Sequence, residues 1–173
     1  MLFRSGFKVT EIDAQEVGDV AVSSTKIRTA LKEGAIKEAN QFLGYPFMLN
    51  GTVIKGKGLG KTIQFPTANL KIEEHYKLIP KKGVYLVQAL IENESVFGML
   101  NIGTNPTVSS ANTLSIEVFF FNFNKNLYDT ELRIQLLDRI RDEIKFTDLE
   151  ALKTQLERDQ QTAQTKIAHL TKN

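Results

Sequence analysis

The sequence predicts a mainly β fold: a closed antiparallel barrel with short helices before it and a helix after it. Three observations carry this. Six short β-patterned runs occupy 47–55, 66–71, 83–92, 95–102, 113–122 and 130–138. Turn chemistry separates them, at Lys81-Lys82-Gly83, Glu92-Asn93-Glu94 and Asn124-Lys125-Asn126. Outside this block the apolar period lengthens from two to helical spacing. Many short strands at near-sequential spacing suit a barrel, which leaves no unpaired edge.

In chain order, residues 1–22 read as one or two strands, with Phe7, Val9 and Ile12 apolar, then an acidic connector through Glu16 and Asp19. Ser23 and Ser24 can cap a helix whose apolar positions are Ile27, Ala30 and Leu31 and which ends at Gly34. A second helix runs from Ile36 to Leu43, and Gly44-Tyr45-Pro46 stops it. After the strands, Thr147 with Glu150 three residues on reads as a capping box opening a helix at about Asp148. Its stripe of Leu149, Leu152 and Leu156 continues through Ala163, Ile167 and Leu170 and is expected to pack on the barrel.

At 173 residues, the chain suits one domain, or one domain with an appendage. Hydrophobic content of 42% and charged content of 24% are those of an ordinary globular chain. A net charge of +2 gives no reason to expect nucleic acid or membrane partners. With no cysteine, neither disulfides nor thiolate metal sites can contribute, which fits a reducing compartment. No apolar run approaches the roughly 20 residues that span a bilayer. The N-terminus has no signal-peptide pattern, so a cytoplasmic location is expected.

The most informative stretch is Gly51 to Leu70, GTVIKGKGLGKTIQFPTANL. A strand enters a loop carrying Gly56, Gly58 and Gly60, with Lys55, Lys57 and Lys61 between and beside them. Glycines allow close backbone approach, and free N–H groups beside lysines suit phosphate oxygens. Two familiar loops are excluded. A P-loop needs four residues before its Gly-Lys pair, whereas Gly56 and Gly60 enclose three; Lys61 stands where a dinucleotide fingerprint has its third glycine. On glycine and lysine content alone, a hairpin loop with solvated lysines is the commoner outcome. Pro66 keeps Phe65 extended, and Thr67 and Asn69, two apart, leave an extended segment on one face. A hydroxyl and an amide oxygen there can serve a hard cation when nucleotide phosphates supply the negative charge.

In the run Ser115 to Phe121, alternation groups Glu117 with Phe119 and Phe121, opposite Ile116, Val118 and Phe120. A carboxylate in so apolar a strand is costly to bury unless paired or functional. Taken alone, an outward-facing surface carboxylate and a functional acid stand side by side. Arg133, Arg139 and Arg141 read as rim charges, and Tyr85 and Tyr128 as core or rim aromatics. His75 and His169 have no partners at metal spacing.

GxVxxGxxxG followed by FPTANL resembles the signature of the riboflavin kinase domain, which in bacteria forms the C-terminal end of a bifunctional riboflavin kinase/FAD synthetase. Gly83-Val84-Tyr85, the run Asn101 to Thr107, and Ile116-Glu117-Val118 leading to Asn126-Leu127-Tyr128 agree in order, over roughly residues 36–165. Lys61 replaces a usual arginine, and Gln64 and Asp129 replace usual glycines. The resemblance implies a six-stranded Greek-key barrel over 35–173. It also implies ATP as co-substrate, Mg2+ or a similar divalent ion, and riboflavin and FMN as substrate and product. Gly56, Lys57, Gly58, Gly60 and Lys61 would then hold ATP phosphates, Thr67 and Asn69 the metal, and Glu117 would be the base for the ribityl 5′-hydroxyl. Arg141 matches the arginine of the family's I-R-x-E stretch and is a weaker candidate for a ligand loop.

Ser23-Ser24-Thr25-Lys26-Ile27-Arg28 is similar to the last motif of the FMN adenylyltransferase domain, which makes Ser23, Ser24 and Arg28 candidates for ATP contact; from the residues alone a capped helix is favoured. On this reading residues 1–34 are the C-terminal remnant of that domain, whose body would be a partner and whose His-x-Gly-His-like element this chain lacks. FAD synthesis is not expected. The rivals are a non-catalytic flavin- or nucleotide-binding barrel, which would need no base, and an oligonucleotide-binding barrel. The latter wants exposed aromatics among its basic residues, and the loop lysines lack them.

Overall fold

The computed structural model describes residues 16–17, 20–56, 58–105 and 113–171. The expectations at Phe7, Val9, Ile12, Asp19, Lys57, Pro106 and Thr107 lie outside them. Twelve elements follow in order: β1 (Glu16–Val17), β2 (Val20–Ala21), α1 (Ser24–Glu33), α2 (Ile36–Leu43), β3 (Phe47–Ile54), α3 (Leu59–Thr62), β4 (Ala68–Lys71), β5 (Gly83–Ile91), β6 (Glu94–Asn105), β7 (Thr113–Phe120), β8 (Glu131–Arg141) and α4 (Leu149–Leu170). Glu16, expected in a connector, instead pairs with Ala21 in a two-stranded hairpin.

Strands β3 to β8 close into one antiparallel barrel in the order β3-β4-β7-β6-β5-β8. The run β8-β5-β6-β7 is a Greek key: three strands joined by successive connections, with the fourth returning beside the first. β4 begins two residues later than expected, because Pro66 has no N–H for the ladder.

Period-two alternation divides the barrel's side chains between two cores. Leu49, Val87, Leu100, Val118, Ile134 and Leu136 fill the interior. Leu86, Met99 and Phe119 face outward, where Leu152, Leu156, Ala163 and Ile167 of α4 cover them. The ends of the α4 stripe do not pack: Leu149 and Leu170 are half exposed. The cap also differs by one residue from expectation. Asp148 accepts the Ala151 N–H at 2.8 Å, while the Thr147 hydroxyl donates to Asp148. A carboxylate beside the positive helix end outcompetes a hydroxyl for the cap.

The helix pair is built into this scaffold. Ser23 caps α1 by accepting the Lys26 N–H, and Gly34 and Gly44 end the two helices in the left-handed conformation. Ala30, Leu31, Ile36 and Ala39 belong to the same buried cluster as the barrel interior. The Lys81 N–H donates to the Leu31 carbonyl. Asn40 donates to the Leu136 carbonyl at 2.8 Å and accepts the Phe47 N–H at 2.7 Å, tying α2 to β8 and β3.

Asp138 joins α2, β8 and α4 through Lys37 and Lys166. Burial pushes its carboxyl up, but the Lys166 ammonium first, then Lys37 and the Arg139 N–H, outweigh that and hold it below its usual 3.8. A carboxyl depressed in the folded state stabilises the fold above its unfolded pKa and loses that contribution as pH falls through the folded one. Stability should therefore fall as pH drops below about 4, and Asp138→Asn should make the fall shallower in denaturant titrations. Leu31, 2% exposed, tests the helix pair. Leu31→Ala should cost about 2–4 kcal/mol of global stability by urea unfolding, as expected of a shared core.

Candidate active site

The glycine-rich loop connects β3 to β4 and contains one helical turn, α3, which the sequence did not suggest. Two of its glycines are required by close approach. A Cβ on Gly56 would lie 2.0 Å from Asn69 Nδ2, and one on Gly60 would lie 2.1 Å from the Phe65 carbonyl oxygen. The Phe65 N–H in turn donates to the Gly60 carbonyl at 2.8 Å. Phe65 is buried against Phe119, ring centroids 5.0 Å apart, so the loop's far end is anchored under α4. Gly58 and Lys55 are exposed, and the Lys61 side chain lies outside the described part.

That anchoring delivers Thr67 and Asn69 to one place. Asn69 stands directly across from Glu117 in the β4–β7 ladder. The Thr67 hydroxyl donates to Glu117 Oε2 at 3.1 Å, and the Ser115 hydroxyl donates to Glu117 Oε1 at 2.8 Å. Both carboxylate oxygens are therefore engaged and oriented, while Glu117 stays only half-buried. The same row continues outward across the sheet: Asn101 is across from Glu117, Val84 from Asn101, and Arg141 from Val84. One step along lies the apolar row of Leu86, Met99 and Phe119, under α4. The helix thus covers the apolar row and forms a wall beside the polar one.

On the interior side of β4 and β7 a cavity of about 420 Å3 opens. Pro66, Val118, Phe120, Phe123 and Leu127 give it apolar walls, and Thr67 stands at its edge. Tyr128 also lines it, 42% exposed, whereas Tyr85 is wholly buried and donates to the Lys81 carbonyl. Asn124, Lys125 and Asn126 complete the cavity rim, so Thr67 stands between a cavity of mixed lining and an acid-bearing row.

The profile of the flavokinase family, described as riboflavin kinase, matches residues 43–167. This chain belongs to the riboflavin kinase family. It is 44% identical over 164 residues to a bifunctional riboflavin kinase/FMN adenylyltransferase of Listeria monocytogenes, covering 95% of this chain and 52% of that protein. A protein of the same name from Bacillus subtilis is 42% identical, with 84% and 46% covered. The chain spans about half the length of these curated relatives. Among solved structures, riboflavin kinase from Trypanosoma brucei superposes with a TM-score of 0.50 at 25% identity, covering 71% of this chain and 78% of that one. A Streptococcus pneumoniae protein described as a macrolide-efflux protein superposes with a TM-score of 0.81 at 35% identity, covering 88% and 50%. No described helix of this riboflavin kinase family member is long and apolar enough to cross a membrane.

Within this barrel the other expected positions stand apart from Glu117. Arg141 shares its row, but its guanidinium forks onto Asp159 of α4, both nitrogen–oxygen contacts from Nε being 2.9 Å. Asp159 is 2% exposed and also accepts from Gln155. Ser23, Ser24 and Arg28 are exposed at the start of α1, where Arg28 donates to Ser24 at 3.5 Å. Among described residues no cluster of three or more His, Asp or Glu could hold a metal. A cation here would rely on the neutral oxygens of Thr67 and Asn69, which the close seat of Asn69 against Gly56 keeps near the loop backbone. Ser115 escaped sequence reasoning although its spacing of two from Glu117 was the available signal.

Both positions where the chain lacks the family's glycine adopt left-handed backbone: Gln64 with φ 67° and Asp129 with φ 61°. Left-handed geometry costs a non-glycine residue about 1–2 kcal/mol, less for Asp, whose short side chain can bond locally. Gln64→Gly should therefore raise stability by about 0.5–1 kcal/mol after the entropy of the freer unfolded chain is subtracted. Asp129→Gly should be near neutral, and paired denaturation curves check both.

Proposed function

We propose that this chain phosphorylates riboflavin at its ribityl 5′-hydroxyl with ATP, giving FMN and ADP. Phosphoryl transfer to an alcohol requires held phosphates, charge neutralisation and a base, with little covalent help. The observation that carries the reading is the Glu117 carboxylate, oriented by Thr67 and Ser115 and facing Asn69.

In this mechanism the backbone from Gly56 to Gly60, with Lys57 and Lys61, holds the ATP phosphates. Thr67 and Asn69 hold a magnesium or similar divalent ion, which neutralises charge on the phosphates when bound. Glu117 accepts the proton of the ribityl hydroxyl as its oxygen bonds to the γ-phosphorus and the bond to ADP breaks. The cavity beside Thr67, apolar at Val118, Phe120 and Phe123 and polar at Asn124, Lys125 and Asn126, suits a planar ring with polar edges, which both substrates carry. Phe65 and α4 keep the segment bearing Thr67 in place, so the base and the metal-binding oxygens are preorganised.

The decisive test is the purified chain with riboflavin, ATP and magnesium, resolving FMN and FAD by chromatography. FMN without FAD is the expected result. Saturable flavin binding without product would assign the barrel to a non-catalytic flavin-binding role. Glu117→Gln keeps the acceptor for Thr67 or Ser115 but removes the base. It should bind both substrates and lose about 10²–10⁴-fold in kcat; turnover near that of the parent would remove Glu117 from the mechanism.

A further inference from the structure

A second cavity, of about 380 Å3, opens between the start of β6, the turn after β7 and the last turns of α4. Phe97 and Phe121 line it from adjacent strands, where the Phe121 N–H donates to the Phe97 carbonyl at 2.9 Å. Phe123 adds a third half-buried ring and also walls the cavity beside Thr67. Glu94, Asn122 and Gln164 complete the lining as exposed polar groups. Among the described residues that line it, Glu94 alone is charged, and no described residue forms an ion pair with it. Lys125 pairs instead with Glu92 and feels Glu94 only at a distance. The carboxamides of Asn122 and Gln164 likewise have no hydrogen-bond partner among the described residues.

Aromatic rings, an unpaired carboxylate and open amide oxygens are together the recognition chemistry of a flat organic cation. The ring quadrupoles attract its charge, and the carboxylate and amide oxygens accept its N–H groups. The barrel seats its own guanidiniums in this way. Arg139 lies 5.8 Å over the Tyr85 ring and pairs with Asp142 at 2.7 Å. Arg141 lies 5.8 Å over the Phe146 ring and pairs with Asp159 at 2.8 Å. In the second cavity the rings and the carboxylate recur, and no described lining residue supplies the cation. We propose that this cavity is a binding site for a guanidinium group, carried by a free guanidino compound or by an arginine side chain of a polypeptide. It is separate from Glu117 and the glycine-rich loop and carries no step of the phosphoryl transfer.

The test is amide NMR on the intact chain, titrated separately with agmatine, with a blocked Gly-Arg-Gly peptide and with the same peptide carrying citrulline. Citrulline keeps the planar shape and loses the charge. The two cationic probes should give saturable shifts at Glu94, Phe97, Asn122 and Gln164, and the citrulline peptide should bind about tenfold more weakly or worse. Glu94→Gln should weaken both cationic probes by about 10- to 100-fold, as expected when a hydrogen bond loses its charged partner. Gln164→Glu, which adds a second carboxylate at an exposed position, should tighten them, a gain that misfolding does not imitate. Comparable affinity for agmatine and the arginine peptide supports the site and assigns it to free guanidino compounds; tighter binding of the peptide supports it and assigns it to arginine side chains. Shifts confined to the cavity beside Thr67, equal binding of the citrulline peptide, unchanged affinity in Glu94→Gln, or no saturable shift at millimolar probe would each overturn the assignment.

Discussion

A closed barrel of six strands has no free edge and a filled interior, and this constraint decides where chemistry can reside. Every second residue on each strand must be apolar and point inward. Polar groups that act together therefore have to come from the outward set and must line up across neighbouring strands. Asn69, Glu117 and Asn101 meet that condition, one on each of three adjacent strands and in register. Their alignment is a property of the ladder and needs no special loop geometry. The loop contributes what strands cannot: backbone groups close to Asn69, permitted by the missing side chain at Gly56.

The outward set would be exposed apolar surface without α4. The helix covers Leu86, Met99 and Phe119 and reaches the neighbouring row only at its Val84 and Arg141 end, leaving Asn101 and Glu117 half-buried. What fixes the helix in that position is polar as well as apolar. Asp159 is buried, and a buried carboxylate deprived of its cation costs about 3–5 kcal/mol. The fork from Arg141 meets that need. Arg141, expected from its motif to be a weaker ligand-loop candidate, is thereby the residue that registers α4 against the end of β8.

The architecture was largely legible because its signals are local and repeated: period-two runs, turn residues, and glycines closing both short helices. The six strands fall within a few residues of their expected limits. Glu117 was legible as an anomaly, a charge in an apolar run, and Thr67 and Asn69 as a spacing. Their meeting was not, since it depends on β4 lying beside β7 and not beside β5. Ser115 was missed for the same reason; a serine in a strand is unremarkable until its hydroxyl is seen to hold Glu117. The cap of α4 was misplaced by one residue because Thr147 and Asp148 both satisfy the pattern, and only charge at the helix end separates them.

The helix pair α1–α2 enters the barrel's own hydrophobic cluster, and the Leu31 carbonyl completes a hydrogen bond with the chain leading into β5. Stability is consequently a common property of the two parts. Any force that steadies Ser24–Glu33 is transmitted to the strands, and loosening the strands frees the helix. A load applied to the first turn of α1 is therefore borne by the core of the sheet that carries Glu117 as well as by the helix itself.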